Sequence, residues 1–133
     1  MIVAGFEKVS EKQFNQDLIK LLNVSDDKYA NIIIPRRATS GSAGYDFTSP
    51  VDFVLRPGET IKIPTGIRCR INEGYVLEIY PRSSIGFKYQ TMLANTVGII
   101  DSDYYYADNE GHIIIALMNM GDSIVLPVLD YLF

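Results

Sequence analysis

The sequence is poor in the residues that build redox and zinc sites, with one cysteine, one histidine and no tryptophan among its 133 residues. One cysteine excludes an internal disulfide, and one Cys with one His excludes a zinc site made of such ligands. Cys69 alternates with polar neighbours between Ile67 and Ile71, which predicts a small buried side chain. Because His112 lies in a different segment, Cys69 lacks the adjacent base that a cysteine nucleophile requires. Carboxylates remain as ligands for a hard cation such as Mg²⁺.

The sequence also lacks an excess of positive charge and any long apolar run. Its 12 basic and 16 acidic residues leave a net charge of −4, which disfavours binding to a nucleic-acid backbone. No apolar run approaches the roughly 18 residues of a membrane span, and residues 1–6 are too short for the apolar core of a signal peptide. We therefore expect a cytoplasmic protein with no membrane and no nucleic-acid partner. Two local basic pairs, Arg36 with Arg37 and Arg82 with Lys88, nonetheless suit a small phosphorylated ligand.

The length, without repeats, low-complexity tracts or linkers, predicts a single domain over residues 1–133. One helix is predicted in SEKQFNQDLIKLL, which begins at Ser10. Ser10 followed by Gln13 matches a capping box, and apolar side chains recur at the helical period. We expect this apolar face to pack against the domain, although a partner-binding surface is an alternative. The face consists of Phe14, Leu18, Leu21 and Leu22.

From Asn31 onward the sequence is typical of β-structure. Short runs of β-branched and aromatic residues are separated by turn signals such as RPGE at residues 56–59. In YVLEIY, the alternate residues Tyr75, Leu77 and Ile79 share one face. Many short strands at regular spacing predict an all-β sandwich or barrel, with the one helix beside it.

Two loop segments contain residues suited to phosphate and metal chemistry. In PRRATSGSAGYDF, small residues allow backbone to approach a ligand, and Asp46 can orient water on a cation. Alternatively, Asp46 only completes a turn. In PRSSIG, Arg82 with Ser83 and Ser84 offers a bidentate cation, hydroxyl donors and backbone N–H groups to phosphate oxygens. The alternative there is a solvated loop whose serines cap a turn.

A third segment, NTVGIIDSDYYYADNEGHIII at residues 95–115, places charge between two apolar strands. It predicts a β-hairpin in which Asp101 follows an apolar strand and Tyr104 faces the same region. Gly98 allows close backbone approach. A carboxylate at the end of a strand can act as a general base on water. The structural alternative is that Asp101 and Asp103 only terminate the strand.

The segments AGYDF, PRSSIG and NTVGIIDSDYY resemble, in this order, the first three signature motifs of the trimeric dUTPase family. The resemblance covers residues 31–119. It implies an all-β fold, a dUTPase-like jelly roll or distorted β-barrel, to which the N-terminal helix is a short peripheral addition. It further implies a homotrimer with active sites at subunit interfaces and Mg²⁺-dependent hydrolysis of dUTP to dUMP and pyrophosphate.

The resemblance also implies roles for individual residues. Asp101 would be the base that activates the water attacking the α-phosphorus, and Asp46 would act on the triphosphate-bound Mg²⁺ through water. Tyr104 would lie against the deoxyribose and leave no room for a 2′-hydroxyl. The phosphates would be held by Arg82, Ser83 and Ser84. Uracil would be read by Asn95, by backbone around Gly98, Ile99 and Ile100, and by the returning strand at His112 and Ile113.

The C-terminal end departs from the family pattern. The fourth motif is a Gly-Asp-Arg turn followed by Gln, whereas residues 128–133 offer Asp130 followed by Tyr131 and no Gln. The fifth motif, a Gly-rich arm that closes over the nucleotide, is not found in this sequence, so we expect slower hydrolysis, with an altered oligomer as an alternative. Two other functions stay open. One is a dCTP deaminase-like enzyme of the same fold, and the other is a catalytically weak or inactive nucleotide-binding or interaction protein.

Overall fold

The computed structural model describes residues 2–125, which contain seven short strands and two α-helices. The strands are β1 Ala4–Lys8, β2 Thr60–Pro64, β3 Ile67–Ile71, β4 Leu77–Ile79, β5 Thr91–Leu93, β6 Gly98–Ile100 and β7 Ile114–Asn119. The helices are α1 Glu11–Leu22 and α2 Ser83–Tyr89, with 3₁₀ turns at Tyr29–Asn31 and Ser102–Tyr106. Within the described range, no helix is both long and apolar enough to cross a membrane. The predicted fourth-motif residues, Asp130 and Tyr131, lie outside the described residues.

The strands pair antiparallel in three small sheets. β1 pairs with β3, and β4 pairs with β6. β7 lies between β2 and β5, so it joins segments that are far apart in sequence. The mostly β fold is therefore confirmed, although the strands of residues 2–125 do not close into a barrel.

Alternate residues of the strands supply much of the core. Along β3, the side chains of Ile67, Cys69 and Ile71 are buried, whereas the arginines between them are more exposed. Cys69 is only 2% exposed, and burial raises the pKa of its thiol. The prediction of a small buried residue at this position is confirmed.

Helix α1 begins and packs as its sequence predicts. The Ser10 hydroxyl accepts a hydrogen bond from Gln13 N at 3.1 Å, which satisfies one of the free N–H groups of the first turn. The chain leaves the helix at Asn23, whose φ of 54° is left-handed. Phe14 and Leu18 are 0% and 1% exposed, so this helix contributes its apolar face to the core.

The second half of the capping box is filled from elsewhere in the chain. The Gln13 side chain donates to Asp17 Oδ2 at 2.9 Å and does not return to Ser10. Instead, Ser10 N donates to Glu110 Oε1 at 2.8 Å, and the Ser10 hydroxyl donates to Glu110 Oε2 at 2.6 Å. A carboxylate distant in sequence therefore lies at the positive end of the helix dipole.

Two predicted elements are different in the structure. The hairpin over residues 95–115 is wrong in its pairing, because β6 pairs with β4 while β7 pairs with β2 and β5. Between them, the 3₁₀ turn and two left-handed residues, Glu110 and Gly111, lead the chain into a different sheet. PRSSIG was predicted to be a turn, but it enters helix α2 with Arg82, in extended backbone, at the N-cap position.

Candidate active site

A cavity of about 490 Å³ lies at the end of β6. β6, the 3₁₀ turn after it and β7 contribute most of its lining. The lining combines the carboxylates and the tyrosine of the third segment with an apolar wall. Its residues are Ile79, Leu93, Asn95, Gly98, Ile99, Ile100, Asp101, Asp103, Tyr104, Ala107, Ile114, Ile115 and Ala116.

Strand pairing sets the position of Asp101. Gly98 of β6 lies opposite Ile79 of β4, and a Cβ at residue 98 would lie 3.1 Å from Ile79 Cβ. The lack of a side chain at Gly98 therefore lets β6 lie close to Ile79. Asp101 follows β6 directly and occupies the N-cap position of the 3₁₀ turn, where its carbonyl accepts from Tyr104 N at 3.2 Å. Asp101 and Tyr104 are therefore held by one short turn at the cavity.

The Tyr104 hydroxyl is anchored by the turn that follows it. It donates to the His112 carbonyl oxygen at 2.6 Å and accepts from Asn109 Nδ2 at 2.9 Å. Asn109 Oδ1 in turn accepts from Gly111 N at 3.1 Å. Sequence reasoning missed Asn109, because an asparagine before Glu-Gly predicts a turn and does not indicate a tyrosine partner.

His112 and Ile113, which were predicted to close the uracil site, do not line this cavity. Both side chains are 0% exposed. Nε2 of His112 accepts from Gly66 N at 2.8 Å, and Nδ1 lies 2.6 Å from Asp17 Oδ2. The imidazole is therefore held between helix α1 and the turn from β2 to β3, while Ile113 belongs to the core. The returning strand instead lines the cavity with Ile114, Ile115 and Ala116.

The same contacts determine the protonation of His112. Since Nε2 accepts a backbone N–H, it carries no proton, and Nδ1–H donates to the Asp17 carboxylate. Burial lowers the pKa of His112 below its ordinary value of 6.5, and the hydrogen bond with Asp17 opposes this shift in part. His112 is thus a neutral residue of the core.

The predicted phosphate and metal residues form a second group. Arg82 Nη1 lies 3.6 Å from Asp46 Oδ2, so the first and second segments meet in space. Ser83 and Ser84 are exposed in the first turn of α2, where N–H groups lack partners within the helix. None of these four residues lines the cavity next to Asp101. The predicted site is thus divided into two groups in one chain.

Within residues 2–125, no three His, Cys, Asp or Glu side chains are grouped so that they could hold a metal ion. Asp46 lines a depression of about 350 Å³ together with Arg36, Arg37 and Ala38. One carboxylate among cations is a poor cage for a bare ion. It fits a Mg²⁺ that arrives on phosphate and keeps its waters, because Mg²⁺ is commonly bound through substrate phosphates and one or two carboxylates.

Comparison with known proteins shows the family of this chain. The family model described as dUTPase matches residues 30–129. The chain belongs to the dUTPase family. The deoxyuridine 5′-triphosphate nucleotidohydrolase of Lactococcus lactis is 43% identical over 104 residues, which are 77% of this chain and 69% of that protein. The enzyme of the same name from Paraburkholderia phytofirmans is 41% identical over 93 residues, which are 68% of this chain and 60% of that protein.

Solved dUTPases share the fold of this family member. The crystal structure of dUTPase from Streptococcus mutans matches with a TM-score of 0.69 and 33% identity, over 96% of this chain and 86% of that one. A mutant dUTPase from phage phi11 of S. aureus matches with a TM-score of 0.63 and 26% identity, over 90% of this chain and 61% of that one. That protein coordinates a structural Mg(II) ion. The predicted dUTPase-like jelly roll is therefore confirmed.

Proposed function

We propose that this dUTPase family member hydrolyses dUTP to dUMP and pyrophosphate, with Asp101 as the general base. The supporting observation is one cavity in which Asp101 and Tyr104 meet Asn95 and Gly98. Its volume of about 490 Å³ lies within the range of roughly 300–1,000 Å³ that small-molecule sites occupy. The proposal extends to this chain the activity named for its relatives, of which it spans 69% and 60% of the length.

Asp101 supplies the proton acceptor in this proposal. Its side chain is exposed and lines the cavity. The carboxylate takes a proton from a water molecule whose oxygen bonds to the α-phosphorus. The bond from that phosphorus to the bridging oxygen breaks, and its electron pair leaves with pyrophosphate. The product that remains in the nucleoside pocket is dUMP.

The lining of the cavity defines the nucleoside pocket. Backbone groups of Gly98, Ile99 and Ile100 contact uracil, and Asn95 adds an amide donor and acceptor. A methyl group on C5, as in thymine, meets this apolar wall. Tyr104 lies against the deoxyribose, where its ring leaves no room for a 2′-hydroxyl.

The phosphates are assigned to Arg82, Ser83 and Ser84, which lie outside the cavity of their own chain. A homotrimer with sites at its interfaces brings this group from a second copy to the cavity around Asp101. Cyclic oligomers repeat one interface, so such a composite site would form three times. Asp46 would hold, through water, the Mg²⁺ that arrives with the triphosphate, and that ion would neutralise phosphate charge.

Pyrophosphate release from dUTP with Mg²⁺, compared with dCTP, dTTP and UTP, tests the proposal. Release from dUTP alone supports it, whereas ammonia release from dCTP would show a deaminase of the same fold. Calorimetric binding of a non-hydrolysable dUTP analogue is measured in parallel. Selective binding without release would show a nucleotide-binding protein, and the lack of both would overturn the proposed function.

A further inference from the structure

The Tyr104 hydroxyl is held by the turn that follows it, although the sequence of that turn does not indicate a role in substrate specificity. Asn109 lies in that turn, where its Nδ2 donates to the Tyr104 hydroxyl at 2.9 Å and its Oδ1 accepts from Gly111 N at 3.1 Å. The Tyr104 hydroxyl uses its own proton in the 2.6 Å hydrogen bond to the His112 carbonyl oxygen. The Tyr104 hydroxyl therefore donates one hydrogen bond and accepts another, and both partners belong to residues 109–112.

The turn is also packed against the backbone that carries Tyr104. Glu110 and Gly111 have φ angles of 63° and 70°, left-handed values that bring the chain back on itself. A Cβ at residue 111 would lie 2.7 Å from both Tyr104 O and Tyr105 Cα. The backbone angle and the lack of space both require glycine there. The 3₁₀ turn and the turn after it thus form one packed unit.

Helix α1 holds this unit from outside. Asp17 accepts from His112 Nδ1 at 2.6 Å, and Ser10 donates twice to the Glu110 carboxylate, at 2.8 and 2.6 Å. The second ring nitrogen of His112 is occupied by a backbone N–H at 2.8 Å. His112, whose carbonyl oxygen accepts the hydrogen bond from the Tyr104 hydroxyl, is therefore held at both nitrogens of its ring.

We propose that Asn109 is a positioning residue that holds the Tyr104 ring against the deoxyribose, and that the contact of Asp17 with His112 supports it from helix α1. This inference rests on the proposed function and concerns the residues that make the site select deoxyribose over ribose. A ring excludes a 2′-hydroxyl only while it stays in place, since a displacement of about 1 Å is enough to loosen a site. Two hydrogen bonds at the hydroxyl prevent that displacement.

The test compares Asn109→Asp with the parent protein. The measured quantity is the ratio of kcat/KM for dUTP to kcat/KM for UTP. The substitution keeps an acceptor for Gly111 N and removes the donor to the Tyr104 hydroxyl. We expect the ratio to fall about fivefold, the size of effect that one lost hydrogen bond produces, and mainly through faster turnover of UTP. If Asn109→Asp does not fold, Asn109→Ala carries the same expectation.

A double-mutant cycle with Tyr104→Phe separates positioning from general damage to the turn. That variant keeps the ring and lacks the hydroxyl. Adding Asn109→Asp to it should therefore leave the ratio unchanged within about twofold, because the contact is already lost. A second fall of the same size would overturn the proposal, since Asn109 would then act through some other contact.

Asp108→Asn is the matched control, because Asp108 is an exposed neighbour in the same turn. It changes the local charge by one without removing either partner of the Tyr104 hydroxyl, so the ratio should not change. An equal fall in this variant would overturn the assignment to Asn109.

Asp17→Ala tests the support from α1 and should lower the ratio about twofold, a smaller effect because it acts through His112. An unchanged ratio there would remove the helix from the proposal.

The two proposals can fail separately. If the unsubstituted protein neither turns over dUTP nor binds the dUTP analogue, the proposed function itself is overturned. If Asn109→Asp is active and keeps the parent ratio, only the positioning role is overturned.

Discussion

Asp101 and Asp103 show how two carboxylates of one cavity can differ in position. Both line the cavity, and they lie two residues apart in and before a 3₁₀ turn. Asp101 precedes the turn in extended backbone and accepts from Tyr104 N at 3.2 Å through its carbonyl oxygen, whereas Asp103 lies inside the turn. Asp103 also lines a separate depression with Arg70 and Tyr106. Of these two carboxylates, the proposed function assigns the role of base to Asp101.

Asp101→Asn should lower turnover of dUTP by about 10²–10⁴-fold, because it preserves shape and removes the proton acceptor. Binding of the non-hydrolysable dUTP analogue should remain within about threefold of the parent value. The matched control is Asp103→Asn, which removes a charge from the same cavity and should keep most of the turnover. Single-turnover kinetics and calorimetry measure both quantities. Full activity of Asp101→Asn would disprove the assigned role.

The lowered pKa of His112 makes the folded protein less stable in mild acid. The unfolded chain takes up a proton on this residue near its ordinary pKa of 6.5, and the folded protein does so only at lower pH. Stability that is fully present above pH 6.5 is therefore lost as pH falls towards the folded pKa. Glu110 acts in the same direction below pH 4.5, since hydrogen bonds from Ser10 lower its pKa.

Urea unfolding at about pH 7.5 and about pH 5.5 measures mainly the His112 contribution, because the Glu110 transition lies lower. The parent protein should have a lower free energy of unfolding at the acidic value. His112→Gln cannot gain a charge, so its free energy of unfolding should change much less between the two conditions. An identical pH dependence in this variant would show that other groups are responsible.

Among the elements, helix α1 was predicted well and the region after Asp101 was not. The helix has twelve residues with a cap and an apolar period, and these signals are local. Strand β1 and helix α2 have five and seven residues, which is too short for a periodic pattern to identify them. The hairpin prediction was wrong because neighbouring apolar strands were assumed to pair, whereas β6 and β7 have partners elsewhere.

Phe14→Ala should destabilise the protein by about 3–5 kcal/mol, because it leaves a cavity between α1 and the core. The Phe14 ring is 0% exposed and packs near the rings of Tyr29 and His112, at 6.0 and 6.2 Å. Ile19→Ala on the same helix is the control, since Ile19 is 52% exposed and its loss should cost about 0.5 kcal/mol or less. Urea unfolding of both variants is the measurement. Equal losses would mean that the apolar face does not anchor α1.

At the scale of the whole molecule, one chain presents the site in two groups. Asp101 and Tyr104 line the cavity, whereas Arg82 and Asp46 pair with each other outside it. The proposed hydrolysis of dUTP requires a base and phosphate-binding side chains around the same triphosphate. The proposed homotrimer answers this requirement by joining the groups of different copies.

Co-expression of Asp101→Asn with Arg82→Ala tests this composite site. Each variant alone should be nearly inactive. In randomly mixed trimers, about a quarter of the sites combine an intact base from one copy with an intact arginine from another, so about a quarter of the parent activity should return. Light scattering establishes the oligomeric state of each sample. No recovery in mixed trimers would show that both groups act within one copy.

The sequence by itself determined the first helix, the mostly β character of the fold and the choice of candidate residues for the site. These features depend on residue types at short spacings, such as Asp101 before Tyr104 or Ser10 before Gln13. Local backbone geometry alone brings residues at such spacings together. Only the tertiary structure decided the strand partners, the burial of His112 and the anchoring of Tyr104 by Asn109. The contacts that fix His112 and Glu110 to helix α1 span 95 and 100 residues. Their free energy comes from packing and hydrogen bonding between distant segments, which no local pattern in the sequence records.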